Sequence, residues 1–230
     1  ECGTKFVRGM LEDSSPQTFS DLVRISGFSH GTNVWLDNAQ DLIKNGTCKL
    51  NEAISTRDDV MNFLIHRGMD RKHSFFVMEN VRKGKGIEKR NKQGQATTEF
   101  EAEMRENNIP EWFIESCKKI SYLFPRAHAV AYVMMAFRIA WFKVYHPLAF
   151  YAAYFSIRAK AFDLRIMTGD LKTQMTEFNR IKALDRAASP KDKDLMSALE
   201  VSMEMYQRGY RFINVDIQHS EARRFSIKDG

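Results

Sequence analysis

A mostly α-helical fold is what this 230-residue sequence predicts. Residues suited to helix N-caps, namely Thr18, Thr56, Asp70 and Ser189, recur just ahead of apolar segments spaced three and four apart. Glycine or proline closes most of those segments. Only residues 209–230 shift toward a period near two. Hydrophobic residues make up 43% of the chain and charged residues 28%, enough for a packed core rather than a disordered segment.

Thr18 caps a helix with Phe19, Leu22, Val23 and Ser26 on one face, and Gly27 is its expected end. Asn38 to Asn45 reads as a short helix stopped by Gly46. Thr56 and Asp59 have capping-box spacing ahead of Val60, Phe63 and Leu64, with Gly68 as the stop. Asp70 opens a helix through Phe75, Phe76, Met78 and Val81; Arg82 and Lys83 suit its C-terminal dipole. The polar stretch from Ile87 to Thr98 predicts a mobile loop. Thr98 and Glu101 have capping-box spacing again. Pro110 fits the first turn of a helix through Trp112, Phe113, Cys117 and Ile120, which Pro125 ends. A long apolar helix follows from Arg126 to Tyr145. Its apolar run is short for a membrane span and contains His128 and Arg138, which predicts a buried core helix and no membrane partner. Pro147 starts a helix through Tyr154, and further helices run from Leu164 to Leu184 and from Pro190 to Arg208, with Gly209 as the last stop. Tyr210, Phe212, Val215 and Ile217, then Phe225 and Ile227, predict two short strands. The expected organisation is a lead-in over 1–16, a multi-helix domain over 17–208 and a small β annex over 209–230.

The formal net charge of +6 favours a polyanionic partner. Cys2, Cys48 and Cys117 lie far apart, with no CxxC pair, so a reducing cytoplasm is the default. The chain opens on Glu1-Cys2-Gly3 and stops at Asp229-Gly230, and so reads as a stretch of something longer.

Three clusters carry chemistry. Arg8 and the run Arg24 to Thr32, with Ser29, His30 and two glycines, can present cations and backbone N–H groups to a phosphate. The same residues also fit an ordinary helix C-cap. Residues 82–92 hold six Lys or Arg and one acid; Arg82, Lys83 and Lys85 beside glycines can neutralise phosphates, or form a solvated charge run. His128 and Tyr132 share a helix face behind Arg126, with small alanines between them. They can meet a flat partner such as a base pair, or they can be core. The histidines have no metal-ligand spacing, and neither a nucleophile elbow nor a strand-borne carboxylate pair is present. A self-contained enzyme is therefore disfavoured, and a non-catalytic helical nucleic-acid-binding module is the competing class.

Long motifs carry a resemblance. Gly3-Thr4-Lys5-Phe6-Val7-Arg8-Gly9-Met10-Leu11-Glu12, Leu22 to Leu36 with its Arg24-Ile25-Ser26-Gly27-Phe28-Ser29-His30-Gly31-Thr32 core, Val81-Arg82-Lys83-Gly84-Lys85-Gly86 and Phe124-Pro125-Arg126-Ala127-His128-Ala129-Val130-Ala131-Tyr132 resemble the PolC-type DNA polymerase III alpha subunit family, in order and over nearly the whole chain. Glu88 to Thr98 departs from the pattern, the family's loop being shorter, so the resemblance assigns no role to Lys89, Arg90 or Lys92. It implies a replicative-polymerase fingers region between a palm and a helix-hairpin-helix duplex-binding domain. It further implies Mg²⁺ held by palm aspartates outside this chain, so that the chain alone is inactive. Arg8, Arg24, Ser29 and His30, with Lys44, match expected triphosphate-binding stretches; Phe75 and Phe76 match the base-pair pocket; Lys83 and Lys85 match a template-facing strip. The implied partners are template-primer DNA, deoxynucleoside triphosphates and the remaining polymerase domains. A sliding clamp and the replisome would engage other regions, in the cytoplasm at the nucleoid.

Overall fold

The computed structural model describes residues 2–228, which contain twelve α-helices and no strand. The chain forms two compact units, one up to Phe137 and one from Arg138 onward.

In the first unit, α1 (Lys5–Ser14), α2 (Phe19–His30), α3 (Gln40–Lys44), α4 (Arg57–His66), α5 (Arg71–Val81), α6 (Phe100–Glu106) and α7 (Glu111–Lys119) precede α8 (Arg126–Tyr145). Its core includes Met10, Phe28, Trp35, Ile54, Leu64, Val77, Met104, Phe113 and Leu123. The caps at Thr18 and Asp70 form as the sequence predicts. Thr18 pairs reciprocally with Asp21, and Asp70 accepts from Lys72 and His73 N–H at 2.9 and 3.0 Å.

Several boundaries differ from expectation. Gly27 does not end α2, which continues to His30. Gly27 permits close packing instead: a Cβ there would lie 2.6 Å from the Ser55 carbonyl oxygen. The helix expected from Asn38 starts at Gln40, because a π-turn at Trp35–Ala39 contains non-helical Leu36, Asp37 and Asn38. The polar stretch expected to be a mobile loop is a hydrogen-bonded hairpin. Thr97 N–H donates to Lys89 O at 2.8 Å and Asn91 N–H to Gln95 O at 3.0 Å. No Thr98–Glu101 capping box forms; Glu88 reaches back across the hairpin and accepts from Glu101 N–H at 2.6 Å. α7 ends at Lys119, well before Pro125.

Between α7 and α8 runs an extended strap, residues 120–125. Thr32 N–H donates to Tyr122 O and Ser121 N–H to Thr32 O, both at 3.0 Å. Leu123 N–H donates to Arg82 O at 3.2 Å and Arg57 N–H to Phe124 O at 3.0 Å. α8 is not the buried core helix the sequence predicts. Among its residues only Ala129 and Val133 are buried, packed with Val23, while Met135, Phe137, Ile139, Trp141, Phe142, Val144 and Tyr145 are exposed. By length and composition alone it is apolar enough to cross a membrane.

The second unit holds α9 (Pro147–Ala153), α10 (Leu164–Met167), α11 (Leu171–Leu184) and α12 (Pro190–Gln207) around Tyr151, Phe155, Met167, Ile181 and Leu199. The helix expected over Leu164–Leu184 is two, because Asp170 caps a fresh start by accepting from Thr173 N–H at 2.8 Å. Buried Gln174 accepts from the Ser202 hydroxyl at 2.7 Å and donates to Met167 O at 3.2 Å, satisfying both polar groups inside the core.

The β annex expected over 209–230 does not form among the described residues. Phe212 and Phe225 turn inward onto Phe155 and Phe162, with ring centroids 4.8–5.9 Å apart. Asp216 closes a turn by accepting from Gln218 N–H at 2.9 Å, and Ile217 is 99% exposed. The apolar alternation therefore has no sheet partner, and aromatic packing replaces strand pairing.

Gly84 and Gly86 separate two glycine requirements. Both have positive φ, +67° and +74°, but only Gly84 is crowded: a Cβ there would lie 2.5 Å from Ser121 O. Gly86→Ala is expected to cost about 1–2 kcal/mol for the left-handed backbone. Gly84→Ala adds overpacking against the strap and is expected to cost roughly 2–5 kcal/mol in all. Urea denaturation of both variants checks this; equal losses would show that the Ser121 contact is immaterial.

Candidate functional site

The strap gathers four rings. His30 lies at the end of α2, Phe124 on the strap, and His128 and Tyr132 one turn apart on α8. Centroid distances are 5.6 Å for His30–Phe124, 5.7 Å for His30–His128, 5.0 Å for Phe124–His128 and 4.5 Å for His128–Tyr132. Tyr122 adds a fifth ring 5.0 Å from Phe124. Tyr132 is 50% exposed and so is not core, while His30, Phe124 and His128 are half-buried. Ala129 does not lie open beside the rings but is buried beneath them, anchoring α8 to α2.

His30 is oriented by its own helix. Its Nδ1 lies 2.8 Å from Ser26 O, which can only accept, so Nδ1 carries the proton and Nε2 is the acceptor in the neutral ring. The Ser29 hydroxyl donates to the same carbonyl at 2.9 Å. Gly31 lets this turn press onto the strap, since a Cβ there would lie 2.9 Å from Tyr122 O.

Arg24 supports the turn from below. Its Nη1 donates to Ala53 O at 3.0 Å, and its Nη2 lies 3.6 Å from Asp59 Oδ1. The side chains are 13% and 11% exposed. The other Asp59 oxygen accepts from Ser55 and Thr56 N–H at 3.1 and 2.8 Å, so one carboxylate both starts α4 and holds Arg24. Asp58 accepts from Arg126 N–H at 2.7 Å and fixes the start of α8.

At the end of α5, Glu79 holds two cations. It accepts from Arg82 through both carboxylate oxygens, one at 2.9 Å, and Lys83 Nζ lies 2.8 Å away. Those contacts, Arg82 first and Lys83 second, push the Glu79 carboxyl down to about 2. Lys85 is exposed on the following turn, its N–H donating to Asn80 O at 2.9 Å.

Other expected site residues are placed elsewhere in the first unit. Arg8 is exposed on α1. Lys44 is paired with Asp13 at 3.2 Å; the hydrogen bond from Gln40, and then that from Lys44, hold the Asp13 carboxyl below its usual range. Phe75 is exposed on α5, and Lys89 Nζ sits 3.7 Å above the neighbouring Phe76 ring. Among the described residues, no three His, Cys, Asp or Glu side chains are grouped to hold a metal ion.

Residues 1–108 match the model of the bacterial DNA polymerase III alpha subunit finger domain. Over 229 residues the chain is 54% identical to a DNA polymerase III PolC-type of Caldanaerobacter subterraneus subsp. tengcongensis, covering all of this chain and 16% of that protein. It is 53% identical over 230 residues to the PolC-type protein of Bacillus subtilis, covering 99% of this chain and 15% of that protein.

Over its whole length the chain is similar to PolC-type DNA polymerase III proteins. It spans about one sixth of the length of those relatives. A PolC-type protein of Thermotoga maritima is similarly 54% identical over 228 residues. The side chains that sequence reasoning missed are those holding others in place: Glu79, Asp58 and Phe124, and Asp59 in its contact with Arg24. Glu79 carried a signal, since it stands three and four residues before Arg82 and Lys83 on a predicted helix.

The lowered Glu79 carboxyl predicts a pH response. Its stabilisation is complete above its ordinary value of 4.5 and is lost as pH falls toward about 2. The stability difference between the chain and Glu79→Gln is therefore expected to narrow across that window in denaturant titrations. A difference independent of pH would contradict the pairing.

Proposed function

We propose that this chain is the fingers module of a replicative DNA-directed DNA polymerase, binding the incoming deoxynucleoside triphosphate and the template strand during nucleotidyl transfer. The observation that carries the reading is the His30–Phe124–His128–Tyr132 ring cluster, half-buried at His30, Phe124 and His128 and open to solvent at Tyr132. Three chain segments converge to mount it, and cations stand on two of the elements that the strap ties together. Rings of this kind can press on a sugar or a base pair, and a neutral imidazole can hydrogen-bond where a protonated one donates to phosphate.

In this reading Arg8, Arg24, Ser29, His30 and Lys44 serve the triphosphate, balancing charge that builds on its outer phosphates. Arg24 does so with donors not engaged by Ala53 and Asp59, and Lys44 by leaving Asp13. Phe75 and Phe76 border the base pair, and Arg82, Lys83, Lys85 and Arg126 face DNA. Mg²⁺ and the carboxylates that bind it belong to palm residues outside this chain, in a bacterial cytoplasm. The competing class, a plain helical DNA binder, shares the cations but predicts no triphosphate preference.

Tyr132 separates a pocket role from a core role. Because it is half exposed, Tyr132→Ala in the intact polymerase is expected to change folding stability by less than about 1 kcal/mol. Loss of its stacking surface, about 1–3 kcal/mol, is expected to lower correct-nucleotide use roughly 5- to 150-fold and weaken discrimination. Melting curves and single-turnover kinetics read both. A destabilised variant with unaltered fidelity would refute the assignment.

Lys83→Ala and Lys85→Ala are expected to weaken template-primer binding alike for all sequences, since phosphate contacts carry no base information. Each should reduce the slope of log affinity against log salt by about 0.7–0.9. An unchanged slope returns them to a solvated surface.

A further inference from the structure

The hydrogen-bonded hairpin at 87–98 encloses one side of a cavity. That cavity, about 530 Å³, is lined by Asn80, Lys85, Glu88, Lys89, Arg90 and Thr97. We infer that it is a phosphodiester-binding site that takes the backbone of single-stranded nucleic acid.

The charge balance supports an anion. Three cations face one carboxylate, and that carboxylate is committed elsewhere. Glu88 accepts from the Thr98 hydroxyl through one oxygen and from Glu101 N–H through the other. The cations are held without being neutralised. Lys89 Nζ rests 3.7 Å above the Phe76 ring, whose face attracts the ammonium but carries no net charge. Arg90 donates one N–H to Gly94 O at 2.7 Å, a neutral partner that leaves its other donors for a ligand.

The cavity is also pre-formed. Lys89 N–H donates to the Thr98 hydroxyl at 3.1 Å, and the Thr97 hydroxyl donates to Lys89 O at 3.1 Å. Asn91 Oδ1 accepts from Gln93 and Gln95 N–H at 3.0 and 2.9 Å, which closes the tip. On the opposite wall, Asn80 O accepts from Lys83 and Lys85 N–H at 3.2 and 2.9 Å, so the 82–85 turn is joined to the same frame. Cations thus line the cavity from Lys85 to Lys89 and Arg90, with Lys83, paired to Glu79, on the turn before them. An open track of this kind, with the exposed Phe75 ring beside Phe76, suits a strand of successive phosphates and stackable bases better than a single enclosed anion. The inference deepens the template-binding reading and rests on it.

The test uses the full-length polypeptide and a fluorescent oligodeoxythymidylate titrated at several salt concentrations. The double variant Lys89→Gln/Arg90→Gln is expected to reduce the salt slope by about 1.4, two single-strand contacts of about 0.7 each. The charge-preserving Lys89→Arg/Arg90→Lys is expected to keep the slope. An unchanged slope in the first variant, or an equal loss in both, overturns the site. Inorganic pyrophosphate alone is the second probe: if its binding falls in the first variant while the oligonucleotide slope does not, the site belongs to free polyphosphate and the strand assignment is wrong. Lys83→Ala and Lys85→Ala, run in parallel, distinguish the two levels. If they lower the slope and the hairpin variant does not, only this site falls; if none does, the template-binding reading falls with it.

Discussion

The first unit depends on the pairing of the 120–125 strap. One short extended segment bonds to the turn after α2, the turn after α5 and the start of α4, and Asp58 then fixes the first residue of α8. Ile120 and Leu123 are buried while Ser121 and Tyr122 face outward, so the strap behaves as a strand whose partners are helix ends. Each such bond contributes about 0.5–1.5 kcal/mol net, but a buried group left unpaired costs about 1–3. The three helix ends are consequently held as a set. Gly31 and Gly84 both abut the strap backbone because no side chain fits between.

Local signals in the sequence were legible because their physics is local. Thr18, Asp70 and Ser189 cap helices within three residues of themselves, and Pro190 adds a preset backbone. Signals that needed a partner far along the chain misled. Gly27 reads as a stop until Ser55 is known to lie against it. Thr98 and Glu101 read as a cap until Glu88 supplies it from thirteen residues away. The tail alternates like a strand, yet Phe212 and Phe225 find rings rather than a sheet. Within the site, the i to i+4 spacing of His128 and Tyr132 gave their shared face correctly, but nothing local announced that His30 and Phe124 would join them.

Charge tells a similar story of commitment. The excess of +6 over the chain is not spread evenly across available cations. Arg82 and Lys83 share Glu79, Arg105 and Lys118 share Glu101, and Lys44 holds Asp13. Exposed pairs of this kind add little stability, yet each fixes where a side chain rests before a ligand arrives. Lys89 is different, parked on an aromatic face that leaves its charge intact.

The bare apolar flank of α8 has a consequence at the bench. Phe137, Ile139, Trp141, Phe142, Val144 and Tyr145 present oily surface to water along one helix. Sulfate and phosphate salts are excluded from protein surfaces and strengthen apolar contact. A preparation of this chain will thus cling to a phenyl resin in ammonium sulfate, and it will cloud as it is concentrated. Its handling is governed by twenty residues of helix more than by its basic isoelectric point.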